Sequence, residues 1–292
     1  LEGITVLGEA SVEPGSTVRL TTMPVPDGCV LFLPLEEGSG DVAYDYSGQG
    51  NDGEIHGASW VSTPHGRGLE FDGVDDRVDV PDSPSLDITG PVTVEVLVNI
   101  KRSGANQVFA GKDYNYVLWV REDNKIRFAD TQGNYVDTDP ITEFNRWLHV
   151  VGVFKGEPGD EVTLDNAQIY INGEPRGTHT NGVWSAEAGK GYPVYIGYWY
   201  GIFHLRGVIA FVRIYNRALT PEEIRLLYEQ VKRRWLTGRY IVSEVEHSIT
   251  PGEGFRTRIT CSKTGEASPG WAELFSNERE RTDTAQEVRA SE

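Results

Sequence analysis

Paired carboxylates are the first residues of this 292-residue sequence that could do chemistry. Glycoside hydrolysis with retention needs two carboxyl groups about 5 Å apart, and alternate positions of one strand would place them on one face. No Glu-x-Asp-x-Glu or Glu-x-Asp-x-x-Glu segment occurs. Asp75-Asp76 and Asp160-Glu161 lie in predicted turns, where acidic side chains are usually solvated.

Other catalytic signatures are also missing from the sequence. It contains no Gly-x-Ser-x-Gly elbow, no His-Glu-x-x-His helix and no glycine-rich phosphate loop. The two cysteines, Cys29 and Cys261, are too few for a cysteine-rich metal site; they could form a disulfide or remain buried free thiols. We therefore expect a protein that is not an enzyme.

Aromatic residues in predicted loops are the better candidates for a site. A sugar packs its C–H groups on a flat ring while neighbouring amides and carboxylates address its hydroxyls. The alternative for each ring is packing over the core. We expect this for Tyr116 and Trp119, which share a predicted strand with Val120. The predicted glycan-binding residues are Tyr198, Trp199, Tyr200, His204, Trp184, Tyr135 and Asn134.

The charge balance limits the partners. The formal net charge is −17, from 44 acidic and 27 basic residues. Nucleic acid is therefore not expected as a partner, because binding its phosphate backbone requires clustered Lys and Arg. No run of about 18 apolar residues occurs, and we expect no membrane insertion.

The elements that must position these residues are short strands between turns. About a dozen apolar or alternating runs lie between residues 28 and 217, with Gly-, Asn- and Asp-rich breaks. Asn172-Gly173 is a strong signal for a two-residue hairpin. The pattern predicts an all-β fold, an antiparallel sandwich or jelly roll.

One helix is predicted after the last of these strands. Thr220 is a suitable N-cap, Pro221 suits the first helical position, and Glu223 completes a capping box. Ile224 and Leu227 begin its apolar stripe.

The two ends of the chain are predicted to form hairpins apart from the sandwich. Strands at 4–7 and 16–22, and at 239–248 and 255–262, give one hairpin at each end, and two strands alone bury too little to be stable. We predict a small discontinuous β unit (1–27 plus 236–275), into which a sandwich (28–235) is inserted. Residues 276–292 are predicted to be a charged tail, frayed or helical.

An ordered series of motifs runs through residues 28–232: LPLEEG (33–38), DYSGQGNDG (45–53), GLEFDGVDD (68–76), WLHV (147–150), YING (170–173), IG (196–197) and VRIYNRALT (212–220). On these motifs, residues 28–232 resemble the laminin-G-like, concanavalin A-like lectin/glucanase family. The resemblance implies an antiparallel jelly-roll sandwich that binds a ligand, and such folds often bind calcium through carboxylates and carbonyls. Glu36, Asp45 and Asn51 are the candidate calcium ligands, and Asp113, Asn115, Asp130 and Asp137 offer a second possible cluster. No other metal or cofactor is expected.

The flanks contain the segments GEASVEPGSTV (8–18), YIVSEVEHS (240–248) and GFRT (254–257). On these segments, the flanks are similar to the hub or late-control protein of phage tails. It implies a structural component of a virion tail, with other tail proteins or further copies of the chain as partners and an inserted lectin-like domain for surface glycans. Two alternatives stay open: a carbohydrate-binding module of a secreted, extracellular glycoside hydrolase or adhesin, and a purely structural sandwich with protein contacts alone.

Overall fold

The computed structural model describes the backbone of residues 17–20, 25–187, 191–232, 238–250, 254–263 and 286–291, and side chains over 25–187 and 191–232. The larger of two compact units comprises Val25–Thr63 and Arg67–Lys232. The other contains the strands at the two ends of the chain.

Nineteen strands of the larger unit carry the fold, and a 3-10 turn at Pro84–Leu86 lies between two of them. In chain order they are β2 (Cys29–Leu33), β3 (Val42–Ala43), β4 (Gly53–His56), β5 (Ser59–Thr63), β6 (Gly66–Asp72), β7 (Arg77–Val80), β8 (Val92–Ile100), β9 (Gln107–Lys112), β10 (Tyr116–Val120), β11 (Ile126–Asp130), β12 (Tyr135–Thr138), β13 (Trp147–Phe154), β14 (Ala167–Ile171), β15 (Glu174–Pro175), β16 (Gly177–Asn181), β17 (Val194–Ile196), β18 (Tyr198–Trp199), β19 (Phe203–His204) and β20 (Arg206–Tyr215); the strand preceding them is β1 (Thr17–Leu20).

Two antiparallel sheets form a sandwich. The nine-stranded sheet has the order β16-β12-β11-β10-β9-β17-β7-β4-β3. The eight-stranded sheet has the order β15-β14-β13-β8-β20-β6-β5, with β2 also paired to β20. The predicted all-β antiparallel sandwich is confirmed.

The core forms because alternate side chains of each strand point inward. Val94, Val96 and Val98 of β8 are completely buried and share one hydrophobic cluster with Tyr116 and Leu118 of β10. Each of these strands therefore presents its remaining residues on the outer face of its sheet.

Asn172-Gly173 forms the two-residue hairpin turn that the sequence predicts. Both residues have positive φ, 54° and 81°, and join Ile171 directly to Glu174 across β14 and β15. Two predicted loops differ: Tyr135 begins β12, and Tyr198-Trp199 forms β18, which pairs with β19.

The predicted helix is α1, Pro221–Lys232. The Glu223 amide donates to Thr220 Oγ1 (3.2 Å) and the Thr220 amide donates to Glu223 Oε2 (2.8 Å), which confirms the capping box. Ile224, Leu227 and Val231 are its buried residues. No helix in the described part of the chain is long and apolar enough to span a membrane.

A buried polar cluster lies on the outward side of the eight-stranded sheet. Glu95, His149, Arg213 and Tyr215 are all completely buried. His149 Nε2 lies 2.8 Å from Glu95 Oε1, the Tyr215 hydroxyl donates to Glu95 Oε2 (2.6 Å), and Arg213 Nη1 is 3.5 Å from that oxygen. The Arg213 guanidinium also lies 4.2 Å from the centroid of the Phe32 ring.

The Glu95 carboxylate is held ionised in this cluster. Burial by itself raises its pKa, but the charge of Arg213, and then the contacts with His149 and Tyr215, lower it to about 2. Removing one member of such a cluster leaves another charge buried without compensation.

Four strands form a sheet in the smaller unit. Its order is β1-β21-β22-β23, with β21 at Gly238–Thr250, β22 at Gly254–Lys263 and β23 at Gln286–Ser291. Thr17 is paired with Ile241, so both ends of the chain contribute to one sheet. The sequence favoured a frayed tail or helix at 276–292, but Gln286–Ser291 is a strand, because its backbone pairs with β22. The strand predicted at 4–7 lies outside the described residues.

We expect Glu95→Gln to lower the free energy of unfolding by about 3–5 kcal/mol, the cost typical of breaking a buried ion pair. The control is Glu70→Gln, which breaks the half-exposed Glu70–Lys101 pair and is expected to cost at most about 1 kcal/mol. Urea unfolding followed by tryptophan fluorescence measures both, and equal costs would contradict the importance of the buried cluster.

The effect of Glu95→Gln on the free energy of unfolding should also depend on pH. The Glu95 pKa is about 2 in the folded chain and 4.5 as the reference, so its stabilisation is complete above about pH 4.5 and is lost as the pH falls towards 2. The difference in unfolding free energy between the wild type and Glu95→Gln should therefore shrink over this range. Urea unfolding measures this difference, and a value that stays constant from pH 6 down to pH 2.5 would contradict the predicted role of the Glu95 charge.

Candidate functional site

The outer face of the nine-stranded sheet gathers aromatic side chains because residues opposite each other in register share a face. One row across the sheet runs from Tyr195 over Gly111, Val117 and Ala129 to Tyr135. Val194 and Ile196 flank Tyr195 and are buried in the core, so the alternation sends the tyrosine ring outward.

A second row on the same face carries charge. It runs from Val108 over Trp119 and Arg127 to Asp137 and then to His179 on the edge strand β16. Trp119 is half-buried here, in contrast to the expected core position, because Leu118 and Val120 occupy the inward positions of β10.

The hairpin of β18 and β19 covers part of this face. Trp199 is only 7% exposed and packs on Val108 and Val117, with Trp119 at the margin of the same cluster. Gly111 permits this contact, since a Cβ there would stand 2.7 Å from the Trp199 ring. Tyr200, with a φ of 50°, begins the turn and leaves its side chain 54% exposed.

We call Trp119, Tyr135, Tyr195, Tyr198 and Trp199, together with Arg127, the aromatic face. The Tyr195 ring lies 5.6 Å from Tyr198 and 6.2 Å from Trp199, measured between ring centroids. From β17 to β12 there are four strand spacings of about 4.8 Å, so the face extends over about 19 Å.

Arg127 joins the aromatic rings to a carboxylate. Its guanidinium lies 3.3 Å from the centroid of Tyr135 and 5.7 Å from that of Trp119. Nε and Nη2 each donate to one oxygen of Asp137 at 2.6 Å. Arg121 Nη1 donates to Asp137 Oδ2 as well, at 3.1 Å. The planar guanidinium is thus held in position by the Tyr135 ring and by its two bonds to Asp137.

The other margin of the face carries a second set of charges. Arg77 Nε donates to Asp79 Oδ2 at 3.0 Å, and the guanidinium lies 5.5 Å from the Tyr198 ring. His56 Nε2 stands 3.4 Å from the same Asp79 oxygen. Burial raises the pKa of Tyr195, and the neighbouring charges of Asp79 and Asp113 add to this shift.

Four of the predicted site residues lie together at the hairpin, and Tyr135 lies at the far end of the aromatic face. His204 contacts Tyr198, with 5.4 Å between their centroids, and Tyr200 contacts Trp199 at 5.3 Å. These positions were predicted from loop-like aromatic clusters.

Trp184 was predicted to bind a glycan, but the structure places it in the core. It is 1% exposed and stacks on Phe154 with 4.1 Å between centroids, so it belongs to the core and does not face a ligand. The side chain of Asn134 makes hydrogen bonds within the protein. Its Nδ2 donates to Asp130 and Ser185, and its Oδ1 accepts from the backbone amide of Val183. These bonds tie the β11–β12 turn to a neighbouring loop.

The sequence analysis missed Trp119, Arg127 and Tyr195 as members of a site. Each alternates with fully buried residues in its strand, and this period of two was the available signal. Their assembly into one face depends on pairings between strands up to about 80 residues apart in sequence.

The predicted calcium ligands serve as local hydrogen-bonding groups. The Asp45 carboxylate accepts hydrogen bonds from the backbone amides of Phe32, Ser47 and Asn51. The side-chain amide of Asn51 donates to the Val30 carbonyl. Glu36 Oε2 accepts from the Arg67 amide. The described residues contain one group of three carboxylates with oxygens within 4.8 Å, namely Asp72, Asp75 and Asp76, and it does not include Glu36 or Asp45.

Cys29 is a buried free thiol that donates to the Leu31 carbonyl. Burial raises the pKa of this thiol to about 12, so it is un-ionised at neutral pH and unreactive. The side chain of Cys261 lies outside the described residues.

Comparison with known proteins agrees with this architecture. A family described as the concanavalin A-like lectin/glucanases superfamily matches residues 72–225, more than half of the chain. No curated protein sequence matches.

Three solved structures share the fold at low identity. Trypanosoma rangeli sialidase in complex with sialic acid is 19% identical over 75% of this chain and 36% of its own, with a TM-score of 0.53. Domain 4 of a Geobacillus stearothermophilus extracellular arabinanase, in complex with arabinotriose, is 17% identical over 68% of this chain and 98% of its own, with a TM-score of 0.50. The binding domain of Paraclostridial mosquitocidal protein 1 is 16% identical over 81% of this chain and 64% of its own, with a TM-score of 0.54. The chain thus spans about a third of the sialidase.

We expect Trp184→Ala to lower the free energy of unfolding by about 3–5 kcal/mol, because it leaves a cavity beside Phe154. The neighbouring control is Val183→Ala, whose side chain is 48% exposed and whose loss should cost no more than about 0.5 kcal/mol. Chemical unfolding measures both values. A Trp184→Ala variant as stable as Val183→Ala would contradict the core position.

Proposed function

The chain belongs to the concanavalin A-like lectin/glucanases superfamily, and we propose that its larger unit is a non-catalytic domain that binds a glycan on the aromatic face. The observation that carries the proposal is the set of half-buried rings (Trp119, Tyr135, Tyr195 and Tyr198), which lie with the Arg127 guanidinium on the outer face of the nine-stranded sheet around the buried Trp199. Two of the structures with this fold contain sialic acid and arabinotriose.

The aromatic face offers both kinds of contact that a sugar requires. Its rings present flat apolar surface on which sugar C–H groups can pack. Arg127 supplies a fixed donor beside those rings, and exposed His179 and Asn181 on β16 add polar groups at the rim. A long, shallow face of this kind suits an extended oligosaccharide better than a small molecule, which is usually enclosed in a concave pocket.

The non-catalytic part of the proposal rests on the state of the carboxylates. Asp137 and Asp79 accept hydrogen bonds from arginines, so neither is arranged as a proton donor. Glu95 is completely buried on the other sheet. Asp113, whose pKa is raised by burial, is the carboxylate beside the face that would suit a general acid.

We predict that Trp119→Ala and Tyr135→Ala each weaken glycan binding at least about tenfold, since truncating an aromatic hot spot costs more than about 1.4 kcal/mol. A glycan array identifies the ligand, and titration calorimetry gives the affinities. The matched control is Tyr46→Ala, which removes an exposed ring outside the aromatic face and should leave binding unchanged.

Loss of binding in the control as well, or unchanged binding in both face variants, would place the glycan elsewhere. Sugar release should be measured in the same samples. Turnover that Asp113→Asn abolishes would make the protein an enzyme and contradict the non-catalytic part of the proposal.

We further propose that the protein is a component of a viral tail, in which the smaller unit anchors the sandwich in a symmetric assembly. Support comes from the tail-hub-like motifs of both flanks and from the pairing of Thr17–Leu20 with β21, as an inserted sandwich would require. Several copies would amplify a weak affinity for surface glycans through multivalency.

The genetic neighbourhood tests the tail proposal. Tail genes beside the gene for this chain, and labelling of the virion tail by an antibody against it, are the expected results. A catalytic or anchoring domain in the same gene would support a secreted module or adhesin instead. A sandwich without any glycan ligand but with a large protein interface would support the purely structural role.

A further inference from the structure

The charges of the aromatic face are already paired within the protein. Asp137 occupies the fork of Arg127 with both of its oxygens and accepts a third bond from Arg121. The Asp137 side chain is 3% exposed, so these bonds are shielded from solvent. Displacing a carboxylate that is buried between two guanidinium groups is costly, because the freed charges lose their compensation.

The remaining arginine near the face is paired in the same manner. Arg77 is bonded to Asp79, which also lies beside His56. The three described arginines of the face, Arg77, Arg121 and Arg127, therefore each have a carboxylate partner.

This pairing matters for the kind of sugar that the face accepts. Recognition of a sialic or uronic acid carboxylate normally uses an Arg fork with two parallel donors. Asp137 takes the Nε–Nη2 edge of Arg127 and neutralises its charge, and Glu54 and Asp79 add negative charge at the other margin. A second carboxylate at the face would therefore meet like charge beside an arginine whose positive charge is already compensated.

We propose that the aromatic face selects neutral glycans over sialylated and uronate-containing ones, with Asp137 as the residue that sets this specificity. The inference rests on the proposed glycan binding and adds the substrate class to it. Arg127 Nη1 donates no bond to Asp137, so its N–H groups remain to donate to sugar hydroxyls. The Asp137 pair thereby converts an arginine that could bind carboxylates into a donor for hydroxyls.

The test compares matched oligosaccharides that differ only in a terminal acid: a neutral chain, its sialylated form and a uronate-containing form. Binding is measured by calorimetry at pH 7.5. Wild-type protein should bind the neutral member at least about tenfold more tightly. Its affinity should hardly change between low and high salt, because no net ion pair forms.

Asp137→Asn should improve binding of the sialylated and uronate forms by about tenfold, because it removes the negative charge that compensates Arg127. The matched control is Asp139→Asn, an exposed carboxylate at the end of the same strand that bonds to Thr178, and it should leave the preference unchanged. Thermal melting checks that both variants fold. If Asp137→Asn does not fold, the wild-type preference and its salt dependence decide the matter.

The outcomes separate the two proposals. Tighter binding of the sialylated or uronate form by the wild type would overturn the neutral-glycan inference and leave glycan binding intact. An Asp137→Asn variant that folds without any gain for the acidic forms would overturn the role of Asp137. Failure to bind any member of the three sets, or any glycan on an array, would overturn the proposed function itself.

Discussion

The packing of alternate side chains between the two sheets determines which residues can meet a ligand. Val194, Ile196, Leu118 and Val120 must point inward to fill the core, and their strand neighbours Tyr195 and Trp119 must therefore point outward. The aromatic face is thus a consequence of core packing. A shift of one residue in the register of β10 or β17 would bury these rings and expose the core residues.

Two arginines of the sandwich show how position changes the role of the same residue type. Arg213 is completely buried with Glu95, His149 and Tyr215 on the outward side of one sheet, where it contributes to stability and contacts no solvent. Arg127 lies on the outer face of the other sheet, where Asp137 and Tyr135 hold it flat beside the rings. Both are paired with a carboxylate, but only the second can reach a ligand.

The fold by itself leaves the ligand open. Structures with this architecture include a sialidase, an arabinanase domain and the binding domain of a mosquitocidal protein, all at 16–20% identity. At such distances the backbone is shared while the side chains on the faces differ. The function proposed for this chain therefore rests on its own residues, in particular on Arg127, Asp137 and the rings around them.

Local sequence signals predicted the sandwich of alternating strands, the Asn172-Gly173 hairpin and the Thr220–Glu223 capping box, since each depends on residues close together in the chain. The sequence also indicated the aromatic residues at 198–200 and at 135 as candidates for the site. Local signals did not show that Trp184 belongs to the core and Trp119 does not, or that Asp45 and Asn51 bond to groups of their own surroundings; these facts emerged from the folded structure. The physical reason is that the face of a strand is read from its own alternation, whereas the neighbours on that face are set by long-range pairing, such as Tyr195 with Gly111, which no local pattern records.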